Sequence, residues 1–260
     1  MACDELHLLT LGYEYMPHSL LVEGETDERP IRLPLTSVLA RSDGRWFLFD
    51  TGLGPDFRDP EFSRRFYHWG DPELPGPDPD PIDGQLRLCG VTLDDVDALV
   101  VSHLHADHTG GIRRFADGRP VYIQRAELEF GLNTGDASGG FIHDHYTDPG
   151  IAWHRLDGDE EIAPGIQVLA SPGHTPGQLS VLMEVADGGR YLFAFDAIPT
   201  IENVERDAPL TAAAVAAQRP MIRTSQDRLI ALAAKQGAEL LPGACPRTWP
   251  AIPGRPVKYQ

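Results

Sequence analysis

The stretch His103-Leu104-His105-Ala106-Asp107-His108 is the most informative part of this chain of 260 residues. It places three imidazoles and one carboxylate within six consecutive positions. Side chains of these types are rarely buried without partners, because their desolvation is costly. A divalent metal ion removes that cost, since neutral imidazole and carboxylate are good ligands for zinc and neighbouring metals. The stretch therefore predicts a metal site, and the alternative is a chance cluster of surface histidines.

The surrounding residues predict how the stretch is presented. The apolar segment Ala98–Val101 precedes it, which places it on a loop at the end of a buried strand. His103 and His105 are two positions apart on an extended chain, so they point to the same side and can bind one metal ion. Asp107 and His108 come one turn later, face a different direction and suit a second metal ion.

The composition is strongly acidic. The chain has 22 Lys and Arg against 39 Asp and Glu, a formal net charge of −17, so we expect neither nucleic acid nor a membrane as partner. It has no long apolar run, and its start, Met1–Glu5, lacks the apolar core of a signal peptide. Three scattered cysteines do not form a disulfide framework. We expect a cytoplasmic, bacterial protein with a small-molecule substrate. A homodimer is an oligomeric state that the sequence leaves open.

Apolar patterns and turn signals predict an α/β protein. A hairpin is predicted over Ser37–Asp50 with its turn at Ser42–Gly44, and a capping box at Thr92 opens a short helix. A longer helix is predicted over Met221–Gln236, with Gly237 as its stop. Further strands are predicted at Ala98–Ser102, Pro120–Gln124, Ile166–Ala170, Leu179–Val185, Tyr191–Phe195 and Ala238–Ala244.

The segment Gly54–Gly90 differs from the rest of the chain. Prolines interleaved with aspartates predict that it holds no central strand or helix. It is either a solvated surface excursion or a flap over the site. We treat it as a Pro/Asp-rich insertion at about residues 54–90. Its closely spaced prolines are Pro72, Pro75, Pro77, Pro79 and Pro81.

A weak internal repeat supports a two-layered arrangement of sheets. Arg45–Thr51 is echoed by Arg190–Ala197, and both are apolar hairpin strands that end in an aspartate, Asp50 and Asp196. An excursion, a helix and a short strand follow each of them. Two such halves, packed sheet to sheet with helices outside, predict an αββα sandwich.

Two further ligand candidates lie away from the histidine cluster. Asp196 ends a predicted strand, where an unpaired carboxylate would be costly. The turn Ser171–Gly177 presents His174 between prolines and glycines, and the alternative for His174 is a packed core histidine. The group His143-Asp144-His145 either lines the pocket, supplies a missing ligand or lies in a solvated loop. Four isolated histidines are interpreted as surface or packing residues: His7, His18, His68 and His154.

The HxHxDH motif and its continuation Thr109-Gly110-Gly111 resemble the signature of the metallo-β-lactamase superfamily, over roughly Ser37 to Ala244. The resemblance implies a four-layer αββα metallo-β-lactamase-like sandwich, which we expect to be one domain over residues 1–260. Within the superfamily the chain looks most similar to the N-acyl-homoserine lactonases and related small lactonases. The supporting features are Asp50-Thr51-Gly52, Ser102–Gly111, Gly173-His174-Thr175-Pro176-Gly177 and Asp196-Ala197.

The resemblance also implies roles for individual residues. His174 would be the third ligand of the first metal, Asp196 would bridge both metals, and Asp50 would orient a ligand histidine from behind. The implied chemistry is hydrolysis of a cyclic ester by a metal-bound hydroxide, with Asp107 as the catalytic group that handles the proton. The implied cofactor is Zn²⁺. Its ligand set is His103, His105, Asp107, His108, His174 and Asp196.

Two departures from the lactonases affect the expected chemistry. Ala244 stands where they have a ligand histidine, and the adjacent Cys245 is either a substitute thiolate ligand or an inert buried thiol. Pro199 stands where they have a tyrosine close to the substrate oxygen. We therefore expect one tightly held zinc and a weak or altered second site. The substrate is a lactone, an ester or a thioester, and the alternatives are a polyketide-type cyclase or thioesterase and a catalytically impaired metal-binding homologue.

Overall fold

A computed structural model describes residues 2–76, 80–135, 140–186 and 188–249, and the backbone of 257–259. The strands of these residues are β1 (Glu5–Pro17), β2 (Pro30–Ser42), β3 (Arg45–Phe49), β4 (Val96–Val100), β5 (Pro120–Gln124), β6 (Ala152–Leu156), β7 (Glu160–Ala163), β8 (Ile166–Ala170), β9 (Leu179–Glu184), β10 (Arg190–Phe195), β11 (Glu239–Pro242) and β12 (Val257–Tyr259). Their α-helices are α1 (His18–Leu21), α2 (Pro60–Ser63), α3 (Pro81–Leu88), α4 (Ala106–Thr109), α5 (Arg125–Asn133), α6 (Ile201–Glu205) and α7 (Arg219–Gln236). Short 3-10 helices cover Pro55–Arg58, Leu93–Asp95, Ile112–Phe115, His143–His145 and Ala216–Gln218.

The strands form two mixed sheets. One has the order β12-β1-β2-β3-β4-β5-β6 and the other the order β11-β10-β9-β8-β7. In the first sheet β3, β4, β5 and β6 are parallel to one another, and in the second β10 is parallel to β11. The strands β2 and β3 form the predicted hairpin. The two repeated strands, β3 and β10, each pair in parallel with a strand that follows later in the chain, β4 and β11. This pairing confirms the repeated order that the sequence predicts.

Alternating side chains along the strands build four layers. In β3, Phe47 and Phe49 belong to the core between the sheets, whereas Leu48 belongs to the core beneath the helices that follow it. In β10, Phe193 packs between the sheets and Leu192 packs on the side of α7. Both faces of each sheet are therefore covered, and the predicted αββα sandwich is confirmed.

Most predicted elements lie where the sequence places them. The strands β5 and β8 have the predicted bounds, and Thr92 opens its helix with a capping box. The helix α7 ends at Gly237, whose φ of +61° is the left-handed conformation that glycine adopts without strain. No helix in the described part of the chain is long and apolar enough to cross a membrane.

The prediction that the segment Gly54–Gly90 contains no helix is wrong. Both α2 and α3 lie in it, each beginning at a proline, Pro60 and Pro81. Proline is tolerated in the first helical turn, because its missing N–H would have no partner within the helix. Phe57 and Ile82 are buried in the main core, so much of the segment is packed and not solvated. The prolines Pro77 and Pro79 lie outside the described residues.

Candidate metal centre

The histidine cluster follows the carboxyl end of β4, a strand in the interior of the first sheet. The chain leaves the strand with Val101, whose N–H donates to the carbonyl of Tyr122 on β5. His103 is fully buried, and His105 immediately precedes the single-turn helix α4. The spacing predicts that Asp107 and His108 face away from the two preceding histidines, but the His108 ring lies 4.1 Å from the His103 ring, measured between centroids, so His108 does not diverge from His103.

Three imidazoles converge on one point. The Nδ1 atom of His105 lies 3.0 Å from Nε2 of His103 and 2.9 Å from Nε2 of His174. Burial and neighbouring imidazoles lower the pKa of both His103 and His105, so these rings are neutral and have free lone pairs. Ring nitrogens that face each other at these distances fit the ligands of a single cation.

A second group adjoins the first: potential ligand atoms of His103, His108 and Asp196 lie within 4.8 Å of one another, so His103 belongs to both groups. The Nε2 atom of His108 lies 2.9 Å from Oδ2 of Asp107 and 3.6 Å from Oδ1 of Asp196. The other oxygen of Asp196 lies 3.5 Å from Nε2 of His174 and 4.0 Å from Nε2 of His103. The two carboxylate oxygens of Asp196 thus face different groups, which is the geometry of a bridging ligand.

The turn that presents His174 is held close to α7. Gly173 has a φ of +148°, and a Cβ atom there would lie 2.5 Å from the backbone nitrogen of Ile222. Only glycine fits this approach. The N–H of Ala214 donates to the His174 carbonyl at 2.8 Å, so the turn is fixed from a second direction.

Asp50 lies behind the centre at the end of β3. It is fully buried with a φ of +59°. One carboxylate oxygen accepts from Nδ1 of His108 at 2.8 Å and from the Ser102 hydroxyl at 2.6 Å, and the other accepts from the Ser102 N–H at 2.7 Å. The contact expected from the sequence is therefore present, and it leaves the Nε2 atom of His108 facing Asp107 and Asp196.

We expect Asp50→Asn to lower the affinity of the second group for metal about 10- to 100-fold, because an amide cannot accept all three bonds. Titration of the metal-free protein with Co²⁺, followed by its absorption spectrum, measures this. Asp97→Asn, at an exposed carboxylate that accepts from Trp46 N–H, is the matched control and should bind as the unmodified chain does. Equal affinity in Asp50→Asn would contradict the positioning role.

Glu127, on α5, is a buried residue that the sequence does not single out. One oxygen of its carboxylate accepts from Leu104 N–H and the other from Gly177 N–H, both at 2.9 Å. Burial raises the pKa of Glu127, and the backbone donors oppose that rise. The side chain joins the loop that carries His105 to the turn that carries His174.

Glu14 and Tyr67 are two more residues that the sequence analysis missed. Glu14 comes from β1, is buried, and accepts a hydrogen bond from the hydroxyl of Tyr67. Burial and the nearby charges of Asp107 and Asp196 raise the pKa of Glu14 well above its usual range. Neither residue belongs to a local motif, so only the fold shows that they lie at the centre.

Ala244 lies where the missing imidazole is expected. It lines a small cavity together with His108 and Asp196. The neighbouring Cys245 is buried and its sulfur accepts from Ile201 N–H at 3.4 Å. A buried sulfur that accepts this backbone hydrogen bond fits an inert thiol better than a substitute ligand.

The structure gives His143 and His145 hydrogen-bond partners and places His68 at the cavity, which changes the interpretation of His145 and His68. His143 Nε2 lies 3.1 Å from the Gly131 carbonyl, and the buried His145 has Nδ1 2.8 Å from the Thr109 hydroxyl. Among the described residues neither joins a potential ligand group, and a solvated loop is wrong for His145. His68, predicted as a surface or packing residue, lines the cavity over the centre.

That cavity has a volume of about 490 Å³. The centre contributes one end of it, and one wall comes from the segment 65–69, so the flap is the better description of this part of the insertion. Many of the other lining side chains are apolar or aromatic, which suits a small substrate with an apolar portion. The lining residues are Glu14, Met16, Arg65, Phe66, Tyr67, His68, Trp69, His105, Ala106, Asp107, Gly140, His174, Asp196, Ala212, Ala213 and Ala214.

Comparison with known proteins agrees with this geometry. The model of the metallo-beta-lactamase superfamily matches residues 31–243. The chain belongs to this superfamily. The match covers the strands from β2 to β11 and all the converging histidines and aspartates, and β1 and β12 lie outside it.

Several relatives of this metallo-hydrolase are lactonases. An N-acyl homoserine lactonase of Bacillus thuringiensis is 30% identical over 211 residues, covering 80% of this chain and 82% of the relative. An N-acyl homoserine lactonase of Azorhizobium caulinodans is 33% identical over 183 residues, covering 67% and 68%. A solved N-acyl homoserine lactone hydrolase, with the product N-hexanoyl-L-homoserine at its catalytic metal centre, has a TM-score of 0.83, 26% identity and 95% coverage of both chains. The chain is thus a lactonase-like metallo-hydrolase.

Proposed function

We propose that this protein hydrolyses the lactone ring of an N-acyl homoserine lactone. The observation that carries the proposal is the convergence of four histidines and two aspartates at one end of a cavity that has an apolar portion. The activities named for the Bacillus and Azorhizobium relatives support it. Residues that fit a zinc ion are His103, His105 and His174 on one side and Asp107 and His108 on the other, with Asp196 between them.

When bound, divalent metal would act as a Lewis acid toward the lactone carbonyl and make water more acidic. The chain itself supplies a carboxylate for proton transfer. Burial would raise the pKa of Asp107, but the charge and hydrogen bond of His108 outweigh it and keep that pKa below its usual range. Asp107 is therefore ionised, and because it borders the cavity we assign the proton transfer to it.

The apolar part of the cavity fits an acyl chain. Met16 of β1 and Phe66 and Trp69 of the flap line it, and Trp69 is 38% exposed, so its ring is available to a ligand. We expect kcat/KM for N-hexanoyl-homoserine lactone to exceed that for N-acetyl-homoserine lactone at least about tenfold, because each added methylene finds apolar contact. Initial rates measured by chromatography of the ring-opened acid check this, and equal values would contradict acyl recognition by this wall.

The test of the function itself compares substrate classes on the zinc-loaded protein. N-hexanoyl-homoserine lactone, γ-butyrolactone, an aryl hexanoate and a hexanoyl thioester are supplied at equal concentration. We expect the acyl-homoserine lactone to be hydrolysed fastest. Rapid turnover of the thioester alone would favour the cyclase or thioesterase alternative, and no turnover of any of the four would favour the impaired homologue.

A further inference from the structure

Glu14 lies between two cavities at the metal centre. Its side chain lines the substrate cavity and also a much smaller one of about 10 Å³. Asp107, His108, Asp196 and Ala244 line the small cavity as well. A volume of roughly 10 Å³ is what one water-sized particle requires. The space is therefore of the right size for a single ion or water.

Acidic side chains dominate the polar lining of this cavity. Glu14 is only 6% exposed, and it shares the space with the carboxylates of Asp107 and Asp196. Carboxylates brought this close repel one another when ionised, and among the described residues that line the small cavity His108 is the only basic one. A divalent cation would offset this repulsion, since carboxylate oxygens are among its preferred ligands.

The backbone pairing explains how Glu14 reaches this place. Glu14 pairs with Leu33 across β1 and β2, and opposed residues in an antiparallel pair point to the same face. Leu33 belongs to the small apolar cluster against which Ala244 packs. Glu14 and Ala244 thus approach one region, and the methyl group of Ala244 leaves there the space that a larger side chain would fill.

We propose that Glu14 is a ligand of the second metal ion, in place of the imidazole that position 244 does not provide. The set would be Glu14, Asp107, His108 and Asp196, with the Tyr67 hydroxyl holding the Glu14 carboxylate in position. This inference rests on the metal centre of the proposed function, but it does not depend on which substrate is hydrolysed. Because the second set is rich in oxygen and the first is rich in nitrogen, the second favours harder ions such as Mn²⁺ more than the first does.

Metal content tests the proposal without any substrate. The metal-free protein is titrated with Mn²⁺ and Co²⁺, with bound ions counted by mass spectrometry and by electron paramagnetic resonance. We expect two ions in the unmodified chain, and in Glu14→Gln at least about a tenfold weaker second ion with the first unchanged. Tyr67→Phe should weaken the second ion less. Glu28→Gln, at an exposed carboxylate, is the matched control and should bind two ions as before.

A second variant keeps the test informative if Glu14→Gln folds poorly. In Glu14→Ala/Ala244→His an imidazole is supplied from position 244, and we expect it to restore the second ion that Glu14→Ala loses. Two ions of unaltered affinity in Glu14→Gln would overturn the proposal. The proposal would also be overturned if the unmodified chain bound a single ion and Ala244→His gained a second one. That result would mean that nothing replaces the imidazole missing at position 244. Retention of the first ion and of lactone hydrolysis in those cases would leave the proposed function standing.

Discussion

His105→Ala is expected to abolish tight metal binding and to lower kcat/KM for lactone hydrolysis at least about 10³-fold, since several kcal/mol of transition-state stabilisation come from the metal. His105 has the largest effect because its Nδ1 atom lies within 3.0 Å of both His103 and His174. Its loss leaves two imidazoles and the shared carboxylate of Asp196, one ligand fewer than the site needs to hold zinc tightly. Zinc content after dialysis and initial rates on the same samples measure both effects.

The matched control is His154→Ala, which removes an exposed imidazole on β6. It should keep both the metal and the activity. Activity of His105→Ala equal to that of the control would contradict a metal-dependent mechanism. Loss of activity with full zinc content would instead mean that His105 contacts the substrate and not the metal.

The parts of the fold that sequence predicts are those with a strong local signal. The helix α7 has a helical apolar pattern and a glycine stop, and the strands β5 and β8 have short apolar runs between turns. The histidine cluster is local as well, because residues 103–108 carry four potential ligands within one loop and one helical turn. Asp196 and His174 were found because each follows a predictable strand and stands in an unusual turn.

The parts that were missed depend on contacts between distant segments. The strand β1 has apolar side chains in both the inter-sheet core and the outer core, and a register shift between Thr10 and Gly12, so its sequence shows no clean alternation. Glu14 within it looks like one polar residue among aromatics. Helix formation at Pro81 was missed for another reason, since a proline that breaks a helix interior is favourable at its first turn.

Glu127 has the same character as Glu14, because its role appears only when two loops are brought together. In the sequence it is a helical glutamate close to Glu129, which is exposed. In the fold it is fully buried and binds the N–H groups of Leu104 and Gly177. A Cβ atom on Gly177 would lie 2.2 Å from the Glu127 nitrogen, so the turn and the helix are in close contact. Burial alone would not explain a glutamate here, whereas the need to satisfy two buried donors does.

Glu127→Ala is therefore expected to lower the free energy of unfolding by about 3 kcal/mol, because two buried N–H groups lose their acceptor. The loops that carry His105 and His174 would then no longer be held together, so affinity for the first metal should fall about 10- to 100-fold. Urea unfolding of the metal-free protein and zinc titration measure the two effects separately. Glu129→Ala, in the same helix, should change neither quantity. A stability loss in Glu127→Ala with unaltered zinc affinity would mean that Glu127 supports the fold alone, because a residue that positions the ligands must affect both.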